Sequence, residues 1–348
     1  MRIAVVTPRT HHHVHTRPTA RLAGFIAGLG RRGHEVSIVT PRWWGQRSHT
    51  HHGRWTTHLA GGEHTLSRVA VFRRLRQLDA EVIHLVDVDP AIVRVAGLIG
   101  RLRRIPVIYE ATGFETPITD DGFLTRRASR GIDRIIAPSG VIETSLLESG
   151  LEAPIDRIPD PIDIDRIQGT VPDTRADIIW AGQGAGVSEV ELVLLGLAEL
   201  RDRSWQAVLL GPIEEPNEVR AAVDDLGLAG RITVLEEIKP RERIAIYRGG
   251  RVFVQTAAVC AYPTELCLAM AAGCIGVVQY QEYSSAHELI ERTDRGELIS
   301  TSEEIAFAIT QAAKRESSTH DERFRRYQAE EVADRLLDTY RTAINADA

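Results

Sequence analysis

Glu265 stands in the run Tyr262-Pro-Thr-Glu-Leu-Cys-Leu-Ala-Met-Ala-Ala-Gly273-Cys-Ile-Gly-Val-Val-Gln-Tyr280, a lone carboxylate at the start of a short apolar helix that leads into a buried strand. A carboxylate so placed can accept hydrogen bonds from vicinal hydroxyls of a ribose or hexose. The helix start itself offers unpaired N–H groups and a positive dipole end to an anion such as a diphosphate. The plain alternative is a polar residue favoured by the dipole alone. Further on, Ser284, Ser285 and Glu288 lie in Tyr283-Ser-Ser-Ala-His-Glu-Leu289, where Ser284 or Ser285 is the expected N-cap and the hydroxyls are candidate contacts to a sugar or phosphate. The turn Gly182-Gln-Gly-Ala-Gly186 follows another strand, so Gly184, Ala185 and Gly186 are expected to bring backbone N–H groups to a phosphate, with a purely structural turn as the alternative. A dinucleotide fingerprint fits less well: the spacing differs, and the next strand ends in Gly211-Pro212 with no acidic residue to hold a ribose. Near the N-terminus, Thr7-Pro-Arg-Thr-His-His-His-Val-His15 places four imidazoles in five positions. No acidic or thiolate partner stands at ligand spacing, so a metal is not expected. His11, His12 and His13 are read as an acceptor-facing loop, with His12 as the candidate base because imidazole titrates near neutral pH.

These residues need elements that bring strand ends together, and the hydrophobic pattern supplies them. Ile3–Thr7 reads as a buried strand, Thr19–Arg32 as a helix ending at Gly33, and Glu35–Thr40 as the next strand, a βαβ unit. Strands follow at Val82–Val86, Val107–Glu110 and Ile132–Ala137, then a helix from about Ser139 to Gly150. The Asp- and Pro-rich Ile155–Ile167 reads as a linker. Strands at Asp177–Ala181, Gln206–Leu210, Ile232–Leu235, Val252–Gln255 and Ile275–Tyr280 then alternate with helices at Ser188–Arg201, Asn217–Leu226 and Pro240–Tyr247 and with the Glu265 helix. Alternation of this kind implies parallel sheets with right-handed crossovers. A final helix at about Asp321–Ile344 carries Val332, Leu336, Leu337 and Tyr340 at positions able to pack back on the first domain.

A length of 348 residues suits two domains of ordinary size. No stretch approaches the ~20 apolar residues that span a bilayer and no signal-peptide pattern opens the chain, so a cytoplasmic location is expected. Cys260, Cys267 and Cys274 match neither a disulfide framework nor a zinc site and read as small buried apolar residues. The net charge of −6 hides an asymmetry: residues 1–160 hold 22 Arg against 16 acidic residues, and residues 161–348 hold 20 basic against 32 acidic. Arg68, Arg73, Arg74, Arg76, Arg94, Arg101, Arg103 and Arg104 supply much of the basic excess and make an anionic membrane face a candidate partner, with solvated helix faces as the alternative. Nucleic acid is not expected, since the basic stretches lack interleaved aromatics.

Four segments in this order, Leu29-Gly-Arg-Arg-Gly-His-Glu-Val-Ser-Ile-Val-Thr40, Asp133-Arg-Ile-Ile-Ala-Pro-Ser139, Arg157-Ile-Pro-Asp-Pro-Ile-Asp163 and Glu265-Leu-Cys-Leu-Ala-Met-Ala-Ala-Gly273, resemble a GT-B glycosyltransferase of glycosyltransferase family 4. The resemblance implies an α/β, GT-B architecture: two Rossmann-like doubly wound parallel-sheet domains facing a cleft, with the C-terminal helix crossing back. It sets the acceptor domain at residues 1–165 plus about 321–348 and the donor domain at 166–320. It implies sugar transfer from a nucleotide-sugar to the hydroxyl of a glycan, lipid-linked or small-molecule acceptor, metal-independent, retaining and without a cofactor. Glu110 and Thr112, in Tyr109-Glu-Ala-Thr-Gly113, fall on the acceptor side, with Thr112 where the family has His; Glu288 matches a position near the donor. The chain departs from the pattern in lacking the Arg and Lys expected within Ala181–Ser188 and in carrying Cys260 and Leu268 where paired glutamates stand. A non-catalytic GT-B protein and a nucleotide-sugar epimerase are therefore alternative readings.

Overall fold

The computed structural model describes residues 1–10, 15–42, 49–52, 55–63, 65–119, 128–182, 187–213, 215–291, 293–312, 314–315, 318 and 320–346. His11, His12, His13, Gly184, Ala185 and Gly186 lie outside the described residues. The chain forms two compact units, residues 1–162 with 327–348, and residues 163–326.

The first unit runs β1 (Arg2–Val6), α1 (Arg17–Arg31), β2 (Glu35–Arg42), β3 (His49–His52), β4 (Trp55–Glu63), α2 (Arg68–Gln77), β5 (Val82–Val86), α3 (Pro90–Arg103), β6 (Val107–Glu110), β7 (Arg134–Ala137), α4 (Gly140–Glu148) and β8 (Ile155–Arg157). Among the described residues its sheet has eight strands in the order β3-β4-β2-β1-β5-β6-β7-β8, all neighbours parallel except β3 with β4. Strands β1, β5 and β6 are buried throughout but for Arg2 and mostly apolar, His84 and Glu110 being the exceptions, because helices cover both faces of such a sheet. Helix starts follow local chemistry. Asp89 accepts from the N–H groups of Ala91 (2.8 Å) and Ile92 (3.1 Å), and Pro90 supplies the first helical position of α3.

The C-terminal helix α12 (Ala329–Ala346) belongs to this unit. Its Val332, Leu336, Leu337 and Tyr340 share one core with Leu22, Phe25 and Leu29 of α1 and with Ile3, Val5 and Val36 of the sheet. The approach is close enough that a Cβ on Gly28 would sit 2.6 Å from the Ala329 carbonyl oxygen, so this helix pair needs a glycine there.

The second unit runs α5 (Ile164–Gly169), β9 (Ile178–Ala181), α6 (Val187–Ala198), β10 (Ala207–Leu210), α7 (Pro216–Asp225), β11 (Ile232–Leu235), α8 (Pro240–Gly249), β12 (Val252–Gln255), β13 (Val259–Cys260), α9 (Thr264–Ala271), β14 (Ile275–Gln279), β15 (Tyr283–Ser284), α10 (Ala286–Ile290), β16 (Gly296–Ile299) and α11 (Ser302–Ala312). Its main sheet is parallel in the order β11-β10-β9-β12-β14-β16, and β13 pairs with β15 beside it. Trp180, Val193, Leu197, Leu209, Val254, Val277 and Ile305 centre its core. Two doubly wound sheets, parallel but for the β3–β4 pair, are the architecture that the GT-B resemblance implies.

The stretch Ile155–Ile167 is more than a linker. It contains β8 and the start of α5, and Asp160 within it is 2% exposed and locked into the first unit. Cys267 and Cys274 are buried as expected, with the Cys274 thiol donating to the Tyr247 carbonyl (3.1 Å), while Cys260 is half-buried.

Candidate functional site

In an open parallel sheet the crevice for a ligand lies where successive crossovers leave in opposite directions, at the carboxyl ends of the strands. In the second unit that switch point is between β9 and β12, since β10 lies on the other side of β9. The strand ends are knitted together there. Trp180 Nε1 donates to Thr256 Oγ1 (3.0 Å), which donates to the Glu189 carbonyl at the start of α6 (2.7 Å). Glu189 Oε1 accepts from the Ala258 N–H (3.0 Å), holding the loop after β12. At the end of β10, Gly211 has φ +102°, and a Cβ on it would be driven into the Gly182 carbonyl oxygen. Two backbones therefore meet directly beside the glycine-rich turn.

Ser284 and Ser285 come together with the approach to α9, because β15 pairs with β13 and aligns Ser284 with Cys260. Ser285 occupies the N-cap position of α10, but its hydroxyl donates to the Cys260 (3.1 Å) and Ala261 (3.0 Å) carbonyls instead of capping the helix. It braces the loop that enters α9. Ser284 is 1% exposed and its Oγ has no hydrogen-bond partner among the described residues. Glu288 is half-buried in the first turn of α10.

Glu265 is not a lone carboxylate. Arg243 Nη1 donates to its Oε1 at 2.6 Å, and the Tyr247 hydroxyl donates to Oε2. Both partners are on α8, so Glu265 fastens α9 to α8. Burial, with Glu265 beside it, pushes the Tyr247 phenol well above its ordinary range, which keeps it a donor.

In the first unit the switch point is between β1 and β5. Asp87, immediately after β5, holds φ +43°, an uncommon value for a residue with a side chain. Its Oδ1 accepts from the Thr112 N–H (3.1 Å), and the Thr112 hydroxyl donates to Oδ2. Burial pushes the Asp87 carboxyl above its ordinary range against these hydrogen bonds. Strain and a perturbed carboxyl at a strand end mark Asp87 as a candidate that its setting in Val86-Asp-Val-Asp-Pro90, which reads as an ordinary turn, does not announce.

Glu110 and Thr112, expected to face an acceptor, are inside the unit. Glu110 is 1% exposed, receives the Arg21 guanidinium, and lies 3.0 Å from His84 Nε2. Arg21 also reaches Asp160 Oδ1 (2.8 Å) and the Ile158 carbonyl (2.7 Å), and Arg17 Nη1 binds both Asp160 oxygens (3.0 and 3.1 Å). His84 Nδ1 and the Tyr340 hydroxyl are 2.7 Å apart, tying α12 into the same cluster. Burial works to raise the Glu110 carboxyl, but Arg21 and His84 outweigh it and hold it down at about 2. Glu110 is thus a structural charge.

Among the described residues no group of three or more His, Cys, Asp or Glu is placed to hold a metal ion. Residues 20–166 match the family model described as Glycosyltransferase Family 4, and residues 161–331 match that of Glycosyl transferases group 1. Solved structures of similar fold include a glycosyltransferase from Rickettsia africae ESF-5 (TM-score 0.71, 13% identity, 98% of each chain covered). AviGT4, a glycosyltransferase involved in avilamycin A biosynthesis, superposes with TM-score 0.65 at 16% identity over 99% of this chain and 98% of that one. Anabaena HepE in complex with UDP does so with TM-score 0.65 at 14% identity, again over 99% and 98%. No protein among the curated sequences matches the chain.

Proposed function

Because the chain belongs to the GT-B glycosyltransferases of the group 1/family 4 type, we propose that it moves a sugar from a nucleotide-sugar donor to an acceptor hydroxyl by a metal-independent, retaining route. Residues 163–326 take the donor, and residues 1–162 with 327–348 take the acceptor, a glycan, lipid-linked or small molecule. The observation that supports this best is the convergence, in residues 163–326, of the group 1 match with a switch point. There the starts of α6 and α9 follow the carboxyl ends of β9 and β12. Backbone N–H groups at those starts, with the Gly184–Gly186 turn, would meet the charge that develops on the diphosphate as the bond to the sugar breaks. Glu265, Ser284, Ser285 and Glu288 are the proposed donor contacts. On the acceptor side, Asp87 joins His11, His12 and His13, with His12 as base.

The test is a thermal-shift and turnover panel of nucleotide-sugars, starting with UDP-glucose, which HepE binds in another solved structure. The expected result is a raised melting temperature with one donor class and sugar transfer when an acceptor is added. No shift and no turnover across the panel would overturn the reading. Within that panel, Glu265→Gln is expected to weaken donor binding by about 1–3 kcal/mol and also to lower the melting temperature, since Arg243 loses its counter-charge. A lowered melting temperature with unchanged affinity would reduce Glu265 to a brace between α9 and α8.

A second reading, donor binding without turnover, is favoured by Cys260 and Leu268 at the positions of the resembled paired glutamates. Saturable binding with no transfer to any acceptor would select it.

A further inference from the structure

Two groups can be distinguished within the basic excess of the first unit, with Arg73, Arg76 and Arg104 exposed outside both. Arg74 and Arg103 are spent internally: Arg74 Nε donates to the Leu59 carbonyl (3.1 Å), and Arg103 Nη1 to the carbonyls of Leu75 (3.0 Å) and Leu78 (2.6 Å). Arg68, Arg94 and Arg101 join Arg130 around one open pocket of about 780 Å³ between α2, α3 and residues 128–131, where Arg101 Nη2 also donates to the Arg130 carbonyl (3.1 Å). All four are exposed, and among the described residues none has a carboxylate partner. Among the described residues, Arg17, Arg21, Arg31, Arg32, Arg134 and Arg157 of this unit are by contrast paired with carboxylates.

The same face carries apolar side chains in the open. Val69 is 67% exposed, Leu98 51% and Leu102 70%, and Leu98 lines the pocket with the arginines. Arg94, Leu98, Arg101 and Leu102 fall at i, i+4, i+7 and i+8 of α3, which is one helix face. Guanidinium groups that bind phosphate, set among exposed aliphatics, fit a surface that is anionic at its headgroups and apolar just beneath. Soluble polyanions satisfy only the first half of that description.

We propose that the α2–α3 face docks this chain on an anionic membrane surface, the arginines binding lipid phosphates and Leu98 and Leu102 entering the interface. The docking is peripheral, since among the described residues no helix is long and apolar enough to cross a membrane. It does not rest on the catalytic reading.

The test is co-sedimentation of the full chain with phosphatidylcholine vesicles, with and without about 30% phosphatidylglycerol. Binding is expected only to the anionic vesicles, with release at about 0.5 M salt, where exposed charges are screened within a few ångströms. Arg94→Glu with Arg101→Glu is expected to lower partitioning by at least about tenfold. Leu98→Ser with Leu102→Ser is expected to lower it several-fold with circular dichroism unchanged. Should the double charge reversal misfold, Arg94→Gln alone serves, with a smaller loss. No binding to either vesicle, equal binding to both, or binding indifferent to the arginines overturns the proposal. Binding that needs the arginines and ignores the leucines also overturns it, in favour of a soluble polyanion, as does a melting temperature raised by inorganic phosphate without vesicle binding.

Discussion

Arg21→Met is expected to destabilise the first unit by about 3–5 kcal/mol, because it removes the buried cation shared by Glu110 and Asp160 and leaves Glu110 with only the His84 imidazole, and Asp160 with Arg17, opposite it. The methionine fills much of the arginine's volume, so little of the loss comes from a cavity. Hydrogen exchange of the β5 and β6 amides reads the effect locally, and thermal denaturation reads it globally. Converting the partners as well, with Glu110→Gln and Asp160→Asn, should recover a large part of the loss, since well-packed neutral groups often replace a buried ion cluster at little net cost. By contrast, breaking the exposed Arg32–Asp334 pair should leave stability nearly unchanged, since solvent screens it. An equally small effect of Arg21→Met would mean that water reaches the cluster.

The same cluster gives the chain an acid limb. The Glu110 carboxyl is held at about 2 against an ordinary 4.5, so the native state favours its charged form. Its contribution, on the order of 3 kcal/mol, is complete above about pH 4.5 and drains away as pH falls toward 2. Stability measured across that window should fall in the wild type and run flatter in Glu110→Gln.

Gly211→Ala is expected to cost the second unit about 3 kcal/mol or more and to weaken donor binding at least about tenfold. The left-handed backbone of Gly211 alone costs a residue with a side chain roughly 1–3 kcal/mol, and the new methyl group is pressed into the Gly182 carbonyl. Something must move, and what stands beside it is the turn proposed to hold the diphosphate. Gly227→Ala is the control: φ is +68° there but no atom lies within 4 Å of the added carbon, so only the conformational cost of about 1 kcal/mol remains. Equal effects at the two positions would remove Gly211 from the site.

The βα alternation was legible because strands buried on both faces must be apolar throughout, as Val82–Val86 and Val252–Gln255 are apart from His84 and Gln255. Strands β3 and β4 were not legible. His49-Thr-His-His52 has no apolar alternation and pairs only at the sheet edge, where burial imposes no pattern. Helices α2 and α3 were masked by their arginines, although Asp89-Pro90 is a helix-start signal. In the site, the grouping of Ser284 and Ser285 near a helix start was readable, but the direction of a hydroxyl was not. Glu265 reads as isolated in the sequence because its partners, Arg243 and Tyr247, are some twenty residues away on another helix. Arg21 carried a signal that could have been used: a cation on the helix face shared by Leu22, Phe25 and Leu29 requires buried carboxylates opposite it.

The return of α12 to the first unit bears on the order in which the chain can be made. Ile162 and Tyr327 are joined by a backbone hydrogen bond of 2.8 Å, so residues 163–326 form a closed excursion that leaves the first unit and re-enters it at the same place. During synthesis those residues emerge whole, with their own core, while the first unit still lacks Val332, Leu336, Leu337 and Tyr340. The face of α1 that will receive them stays open to water until the ribosome has passed residue 340, and His84 waits as long for its hydroxyl partner. The later-encoded unit is therefore free to fold first, and the unit begun at the N-terminus is the last to close.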